Sequence, residues 1–157
     1  MVLANFPLSS PAFSDGDWIP AKHTCDGANL SPVLHWGIVT NATHSLALIV
    51  EDPDAPFGLF VHWVLYNMSS SLSELPEGLP QMPGIRGIGT QGTNGFQRVG
   101  YNGPCPPRGA AHRYFFKLYA LDQEPTLPSD LTADRLSKMI QGHILSEAQL
   151  MGKYQRK

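Results

Sequence analysis

The sequence predicts a mainly β protein: an antiparallel β-sandwich with one or two short helices. Several segments have the lengths and apolar patterns of strands, whereas only one has convincing helix signals. Strands and helices do not alternate along the chain, which disfavours a parallel α/β sheet. The 157 residues also include 15 glycines and 14 prolines, and proline removes an amide donor and clashes inside helices. A long-helix bundle or a coiled coil is therefore disfavoured.

One domain over residues 1–157 is expected from length and composition. A chain of this size buries roughly 70% of its unfolded surface, which is enough for one core. No internal repeat and no shift in composition divides the sequence. Its hydrophobic fraction of 42% is too high for a disordered chain.

Two strands are predicted in the first third of the chain. A short one, residues 33–39, follows the turn-rich region 1–30. Residues 44–51 are apolar on both faces, which is typical of a central buried strand. Residues 52–58 hold two prolines and a glycine, so they are predicted to form a loop.

The next strand, residues 60–68, precedes a long irregular segment. Period-two alternation places Phe60, His62 and Val64 on one face of this strand. The irregular segment, residues 82–111, contains 8 of the 15 glycines and 4 of the 14 prolines. An irregular stretch of that length in a compact domain is usually functional or mobile.

An aromatic strand is predicted over residues 112–121. Alternation places His112 and Tyr114 on one face and Arg113 and Lys117 on the other. Solvated charge is the expected role of the two cationic side chains.

The most convincing helix has Thr132 as its N-cap, Asp134 in its first turn and Gly142 after its end. Its predicted apolar stripe consists of Leu136, Met139 and Ile140. The tail, residues 144–154, is predicted to be a strand because its apolar residues fall on even positions.

Charge and hydropathy argue against nucleic acid and membrane partners. The chain has 11 Lys plus Arg against 13 Asp plus Glu, a formal net charge of −2, and no basic run. No apolar stretch approaches the roughly 18 residues of a transmembrane helix. The N-terminus lacks the positive region of a secretory signal, so a cytoplasmic location is expected. Cys25 and Cys105 could form a disulfide, but reduced thiols are expected in that compartment.

The first candidate site segment is Asp52-Pro53-Asp54-Ala55-Pro56, followed by His62. Prolines restrict the backbone, so carboxylates in this loop are held in defined directions. The structural alternative is a turn with Asx-type hydrogen bonds and a core histidine that bonds a backbone carbonyl.

The second candidate segment is residues 100–109, which lead to His112 and Tyr114. Its glycines allow close backbone approach to a ligand, and an irregular loop can direct amides at an anion. It lacks the lysine and helix start of a phosphate-binding loop. Because His112 and Tyr114 lie two apart on a strand, they supply up to three donors on one face. The structural alternative is a loop that crosses the end of a barrel, with Tyr114 in the core.

Three chemistries are compatible with convergence of Asp52, His62, His112 and Tyr114. Two histidines and a carboxylate could bind Zn or Fe(II). A His–Asp pair could act as a general base with tyrosine as the acid. The histidines and tyrosine could instead donate hydrogen bonds to a phosphate or carboxylate, with Asp52 orienting one ring. Spacing alone does not distinguish these three alternatives, and no nucleophile motif of the Gly-x-Ser-x-Gly type is present.

The motifs themselves resemble the phosphatidylethanolamine-binding protein family, also called Raf-kinase-inhibitor-like. The resembling segments are Ser-Pro-x-Leu-x-Trp at 31–36, the segment 45–63, and the Gly/Pro-rich segment 100–114 with its His-Arg-Tyr end. The resemblance is closest to the short bacterial and archaeal branch, and it extends over roughly residues 25–154.

The resemblance implies a β-sandwich with a pocket at one end that binds small anions or phosphorylated head groups. It assigns Asp52 and His62 to the first pocket segment, and Gly103, His112 and Tyr114 to the second. The histidines would donate to the anion, Tyr114 would donate or line the wall, and Gly103 would allow backbone approach. Asp52 would fix a histidine ring or bind a cationic part of the ligand. No catalytic residue, metal or cofactor is implied.

Further expectations follow from the resemblance. Asp54 is expected to pin its loop, and Ala55-Pro56 is a candidate cis peptide bond. The expected partners are a phosphate-like or phosphorylated small molecule, a second copy of the chain in a homodimer, and an unidentified protein through which the molecule would be regulatory. The alternative function is a metal-dependent or acid–base hydrolase that uses the same pocket.

Overall fold

The computed structural model describes residues 4–157, which contain two β-sheets and one α-helix, α1 (Ala133–Ile140). A short 3₁₀ turn covers Ala21–His23. The strands of the described residues are β1 (Ala4–Asn5), β2 (Leu8–Ser9), β3 (Leu34–Trp36), β4 (Ser45–Asp52), β5 (Phe60–Ser69), β6 (Glu74–Leu75), β7 (Gly84–Ile85), β8 (Gly89–Gln91), β9 (His112–Leu121) and β10 (Ile144–Tyr154).

The larger sheet has seven strands in the order β1-β10-β9-β4-β5-β8-β7, and the smaller has three in the order β2-β3-β6. The strand pairs are antiparallel except for β1 with β10. The predicted mainly β, antiparallel class is therefore confirmed. The four longest strands, β10, β9, β4 and β5, are neighbours in the larger sheet.

Two hydrophobic clusters form the core. The larger cluster joins residues of the small sheet to residues of β4, β5, β9 and β10, and includes Leu34, Trp36, Val50, Trp63 and Phe116. The second cluster packs α1 and its preceding loop against other residues of the large sheet, and includes Ala47, Ile49, Val64, Leu136 and Ile140. The large sheet is thus covered by apolar contacts on both faces, which explains the continuous apolar pattern of β4.

The predicted central and aromatic strands are confirmed. Seven of the eight residues of β4 are buried, and β9 has the bounds predicted for the aromatic strand. By contrast, the strand predicted over 33–39 is only Leu34–Trp36. The Gly37 N–H still donates to the carbonyl of Pro7, the next residue opposite, at 3.1 Å, but the strand stops there because proline has no N–H to return the ladder bond. A Cβ on Gly37 would lie 2.8 Å from the Pro7 ring.

The helix and tail predictions are largely confirmed. Thr132 caps α1 by accepting a backbone hydrogen bond from its first turn, and Leu136 and Ile140 are buried. Met139 is 39% exposed, so its predicted place in the apolar stripe is wrong. The tail forms β10, which pairs with β9 over nearly its whole length. No helix in the described part of the chain is long and apolar enough to cross a membrane.

The irregular segment 82–111 is tied to the sheet by buried side chains. Gln91 is 1% exposed and donates to the carbonyls of Pro80 and Met82 at 2.8 and 2.9 Å. Its Oε1 accepts from Trp63 Nε1 at 2.8 Å. One buried amide therefore fixes three points of the chain, as expected where regular ladder bonds are few.

Candidate functional site

A cavity of about 290 Å³ lies where β4 ends and where β5 and β9 begin. These strand ends are adjacent because β9, β4 and β5 are antiparallel neighbours. This cavity, the main pocket, is lined by Asp52, Ala55, Pro56, Phe57, Gly58, Leu59, Phe60, His62, Phe96, Cys105, Pro106, Pro107, His112 and Tyr114. The structure thus brings both candidate histidines, the tyrosine and one carboxylate together.

An irregularity in β5 places His62 in this pocket. Val50 pairs with Trp63 and Glu51 pairs with Val61, so His62 is an extra residue with no partner in β4. Such a bulge changes the direction of the side chains around it.

The bulge also shifts the alternation of β5. Val64 packs in the cluster beside α1, whereas Phe60 and His62 line the main pocket. The prediction that His62 and Val64 share a face is therefore wrong, because a period of two does not persist across a bulge.

Asp52 fixes the ring of His112. The Nδ1 of His112 donates to Asp52 Oδ2 at 2.7 Å, with side-chain exposures of 11% and 4%. The second oxygen of Asp52 accepts from the Asp54 N–H at 2.7 Å. Because an ionised carboxylate only accepts hydrogen bonds, the proton of His112 lies on Nδ1, and Nε2 is the nitrogen without a protein partner among residues 4–157.

His62 is held in the same way by a different acceptor. Its Nδ1 donates to the Asn102 carbonyl at 2.7 Å, and the residue is 4% exposed. Burial lowers the pKa of His62, while the hydrogen bond to Asn102 and the charge of Asp52 act in the opposite direction. The neutral ring therefore carries its proton on Nδ1, and Nε2 presents a lone pair.

Tyr114 lies between the two imidazoles. Its ring centroid is 5.2 Å from that of His62, edge to face, and 6.5 Å from that of His112, nearly parallel. Burial raises the pKa of Tyr114, and the negative charge of Asp52 raises it further. The phenol is therefore a protonated donor at neutral pH.

The rest of the main pocket is largely apolar. Phe96 packs its ring against Phe60 at 4.8 Å and against His62 at 5.5 Å. Phe57 and Leu59, at the rim, are exposed. Phe96 is not among the site residues predicted from the sequence, where its signal is an aromatic residue within a glycine-rich loop. An apolar wall excludes water and strengthens electrostatic contacts to a bound ion.

Asp54 has the pinning role expected of it. Its carboxylate accepts from the backbone N–H, Nε and Nη2 of Arg113, each at 2.9 Å. These hydrogen bonds, mainly those from the Arg113 side chain, lower the pKa of Asp54 to about 2. Arg113 is half exposed, as expected of a solvated charge, but the sequence did not indicate that both cations are paired, Arg113 with Asp54 and the one-third exposed Lys117 with Glu51.

Gly103 does not line the main pocket but an adjoining cavity. A Cβ at this position would lie 2.0 Å from the His23 carbonyl oxygen. Its N–H donates to Asn29 Oδ1 at 2.8 Å. The absence of a side chain is thus explained by close packing against the chain near His23.

Two expectations about the pocket loops are wrong. Cys25 and Cys105 form a disulfide, with their Cα atoms 5.4 Å apart, so they are not reduced thiols. The fold brings together residues that are 80 positions apart, which sequence spacing does not reveal. The Ala55–Pro56 bond is trans, as no cis peptide bond occurs in the part of the chain that the structure describes.

The polar groups of the main pocket can bind an acceptor or move a proton. The two Nε2 atoms have no hydrogen-bond partner among residues 4–157, whereas the Tyr114 phenol interacts with Asp52, which also accepts from His112 and from the Asp54 N–H. Within residues 4–157, no group of three or more His, Cys, Asp or Glu side chains is arranged to hold a metal ion.

Comparisons with known proteins agree with one another. The model of the phosphatidylethanolamine-binding protein family matches residues 9–155. A UPF0098 protein of Aquifex aeolicus is 46% identical over 149 residues, covering 94% of this chain and 86% of that protein.

Two solved structures have the same fold. A phosphatidylethanolamine-binding protein homologue from Chlamydia trachomatis superposes with a TM-score of 0.87 and 40% identity, over 98% of this chain and 99% of that one. Escherichia coli YbcL, described as a new member of the mammalian family, superposes with a TM-score of 0.89 and is 31% identical. The match covers 98% of this chain and 100% of that one.

Proposed function

The chain belongs to the phosphatidylethanolamine-binding protein family, and we propose that its main pocket binds a small anion of the phosphate or phosphomonoester type, without catalysing its conversion. His62, His112 and Tyr114 contact the anion, and Asp52 orients His112. The observation that carries this proposal is that both imidazoles donate Nδ1 to protein acceptors and keep Nε2 for a ligand in one pocket.

The fixed tautomers make binding depend on a proton. A neutral imidazole whose proton lies on Nδ1 accepts at Nε2 and cannot donate to an anion. The anion must therefore donate a hydrogen bond to Nε2 from its own P–OH group, or the imidazole must be protonated so that Nε2 can donate to the anion. Inorganic phosphate keeps a P–OH proton near neutral pH, and phosphomonoesters, with a second pKa near 6, keep one in about half of the molecules at about pH 6 and in about a tenth at about pH 7, whereas sulfate has none. This chemistry favours phosphate-type ligands.

The direction of the pH dependence follows from His62. Burial lowers its pKa from the ordinary 6.5, so its imidazolium is scarce above that pH. Binding of an anion stabilises the imidazolium and is thus coupled to proton uptake. Affinity for any anion should rise as the pH falls below about 6.5, and the dependence should be steeper for sulfate than for phosphate.

Gly103 contributes indirectly in this proposal. Its close packing on the chain near His23 positions the backbone next to Asn102, whose carbonyl holds His62. A side chain at 103 would displace that carbonyl and weaken phosphate binding.

Calorimetric titration with phosphate and sulfate tests the proposal. The wild type should bind phosphate at neutral pH and sulfate only in acid, and His62→Gln and His112→Gln should each weaken phosphate binding about tenfold or more. His143→Gln is the matched control, because that exposed histidine pairs with Asp122 and lines no part of the main pocket. Equal phosphate affinity in all three variants would contradict the proposal.

An acid–base hydrolase is the second candidate, favoured by the Asp52–His112 pair, which is the arrangement of a general base and its orienting group. Turnover of aryl phosphates or aryl esters that disappears in His112→Gln but persists in His143→Gln would support it. If these substrates are not turned over even at concentrations that saturate the main pocket, the hydrolase function is excluded and the binding function stands.

We also propose that the protein is a homodimer. Ile38 and Phe57 have almost wholly exposed side chains, and Leu59 is more than half exposed, which is apolar surface that a second copy could cover. Light scattering across a concentration series, with Ile38→Ser and Phe57→Ser, would identify which patch is used; a monomer at all concentrations would contradict the dimer.

A cytoplasmic location stays a proposal, as does regulation through a protein partner. The Cys25–Cys105 disulfide weighs against a reducing compartment, where such bonds are rare. Alkylation of free thiols at the moment of cell lysis, followed by mass spectrometry, discriminates: reduced Cys105 supports the cytoplasm, and a protected disulfide contradicts it.

Regulation through a protein partner has its own test. Capture of a protein that free phosphate displaces from the wild type, but that His62→Gln does not bind, would support regulation through the pocket.

A further inference from the structure

A second cavity of about 290 Å³ adjoins the main pocket and shares Phe96 and Cys105 with it. Asn29, Arg98 and Asn102 supply side chains to its lining. No Asp or Glu among the described residues lines it. This side cavity therefore presents amides and a guanidinium, with no carboxylate to neutralise that charge.

The surrounding backbone fixes the orientation of the Asn102 amide. Asn94 Nδ2 donates to the Gly100 carbonyl at 2.9 Å, while Asn94 Oδ1 accepts from backbone N–H groups. The same Nδ2 donates to Asn102 Oδ1 at 2.8 Å, so Asn102 Nδ2 is the free end. Asn102 is only 6% exposed, and this nitrogen has no acceptor among residues 4–157. A donor on a buried residue without a protein acceptor is available to a ligand.

Asn29 and Arg98 add further donors. The Gly103 N–H donates to Asn29 Oδ1 at 2.8 Å, which leaves the amide nitrogen of Asn29 as its free end. Arg98 is exposed, and its side chain forms no ion pair within the described chain. All three polar side chains of the side cavity thus have donors to spare, which is the chemistry that binds a carboxylate or another anion.

We propose that the side cavity is a second anion subsite, and that the ligand is an elongated molecule with a phosphate-type group at one end and a carboxylate at the other. The inference rests on the proposed function, which places the phosphate-type group in the main pocket. Asn102 connects the sites, since its carbonyl accepts from His62 and its side chain lines the side cavity. Phe96 borders both, so one ligand can pass along its ring.

A spacer series tests this inference. ω-Phosphonoalkanoates of increasing chain length are titrated into the wild type, each matched with the alkylphosphonate of the same length. At the length that spans the two cavities, the carboxylate should increase affinity about tenfold or more. Arg98→Gln should remove that increase while binding inorganic phosphate with nearly wild-type affinity. Arg86→Gln is the matched control, because Arg86 is exposed in the turn between β7 and β8 and lines neither cavity.

The outcomes separate the two proposals. The subsite is supported if the carboxylate increases phosphonate affinity in the wild type and in Arg86→Gln but not in Arg98→Gln. No increase at any length, or an increase that persists in Arg98→Gln, overturns the subsite and leaves the proposed function standing if phosphate binds. Failure of phosphate and of every phosphonate to bind the wild type overturns both.

Discussion

The main pocket has two halves that are held in place by different means. Its strand half, Asp52 and His112, lies at the ends of β4 and β9, where Asp52 pairs with Phe60 of β5 and His112 pairs with Tyr154 of β10. Its loop half, Phe96 and Cys105, belongs to the irregular segment, and His62 is hydrogen-bonded to that same segment. A few backbone hydrogen bonds to β5, side-chain amides and one disulfide hold the loop half. It is therefore the half that substitutions can loosen while the sheet stays intact.

Among substitutions that loosen the loop half, removal of the disulfide should lower the free energy of unfolding most. Cys25→Ser with Cys105→Ser opens a link between residues 80 positions apart. The free energy of unfolding should fall by about 4 kcal/mol, because the unfolded chain regains the entropy of that loop. Urea unfolding measures it, and wild type in excess reductant should match the double variant. A variant as stable as the oxidised wild type would contradict the assigned role.

Asn94→Ala should loosen the loop half to a smaller extent. Asn94 is 3% exposed and bonds the carbonyl of Gly100, the side chain of Asn102 and two backbone amides. Its loss leaves buried groups without partners, which should cost about 2 kcal/mol. Asn41→Ala, in an exposed turn, is the control and should change the unfolding free energy by less than about 0.5 kcal/mol. Equal effects of the two substitutions would contradict this assignment.

Asp54→Asn tests the link between the strand half and its neighbouring loop. Hydrogen bonds from Arg113 lower the pKa of Asp54 to about 2 from the ordinary 3.8. A lowered carboxyl pKa contributes stability above pH 3.8 that is lost as the pH falls towards 2. Solvent screening limits this contribution to about 1 kcal/mol. The variant should show a flatter stability profile across that range, and an unchanged acid profile would contradict the pairing.

Phe96→Ala should change stability least and binding selectively. The side chain is 39% exposed, so the unfolding free energy should fall by less than about 1 kcal/mol. Phosphate affinity should weaken several-fold, because the wall that shields His62 from water is removed. Met139→Ala is the control, because Met139 is equally exposed at 39% and lines no part of the main pocket; it should leave phosphate affinity unchanged. Equal losses in both would indicate that shielding is not specific to Phe96.

The strand half could be predicted from sequence because its signals are local. Period-two alternation placed His112 and Tyr114 on one face, and the structure has them in one pocket. Prolines after Asp52 marked the end of β4. The same rule failed for His62, because the bulge depends on the pairing of β5 with β4, and nothing in the residues of β5 alone reveals it.

The loop half could not be predicted, because its contacts are long-range. Cys25 and Cys105, 80 positions apart, are brought together only by the fold, and the expected cytoplasmic location wrongly predicted reduced thiols. The roles of Gly103 and Phe96 depend on which chain segment passes beside them. Composition indicated that the segment matters, but not which side chains order it: Asn94 bonds within the segment, whereas Gln91 bonds Pro80 and Trp63 outside it.

The most direct test of the account is the state of the histidine ring nitrogens, read by long-range ¹H–¹⁵N correlation at about pH 8, where free imidazoles are neutral. Without ligand, His62 and His112 should both show a protonated Nδ1 and a lone-pair Nε2. On addition of phosphate, the Nε2 signal of at least one ring should move towards the protonated value, because phosphate at this pH carries a single P–OH proton, while Nδ1 and exposed His35 hardly change. Protonation at Nε2 in the free protein, or no response of either ring to saturating phosphate, would contradict the account.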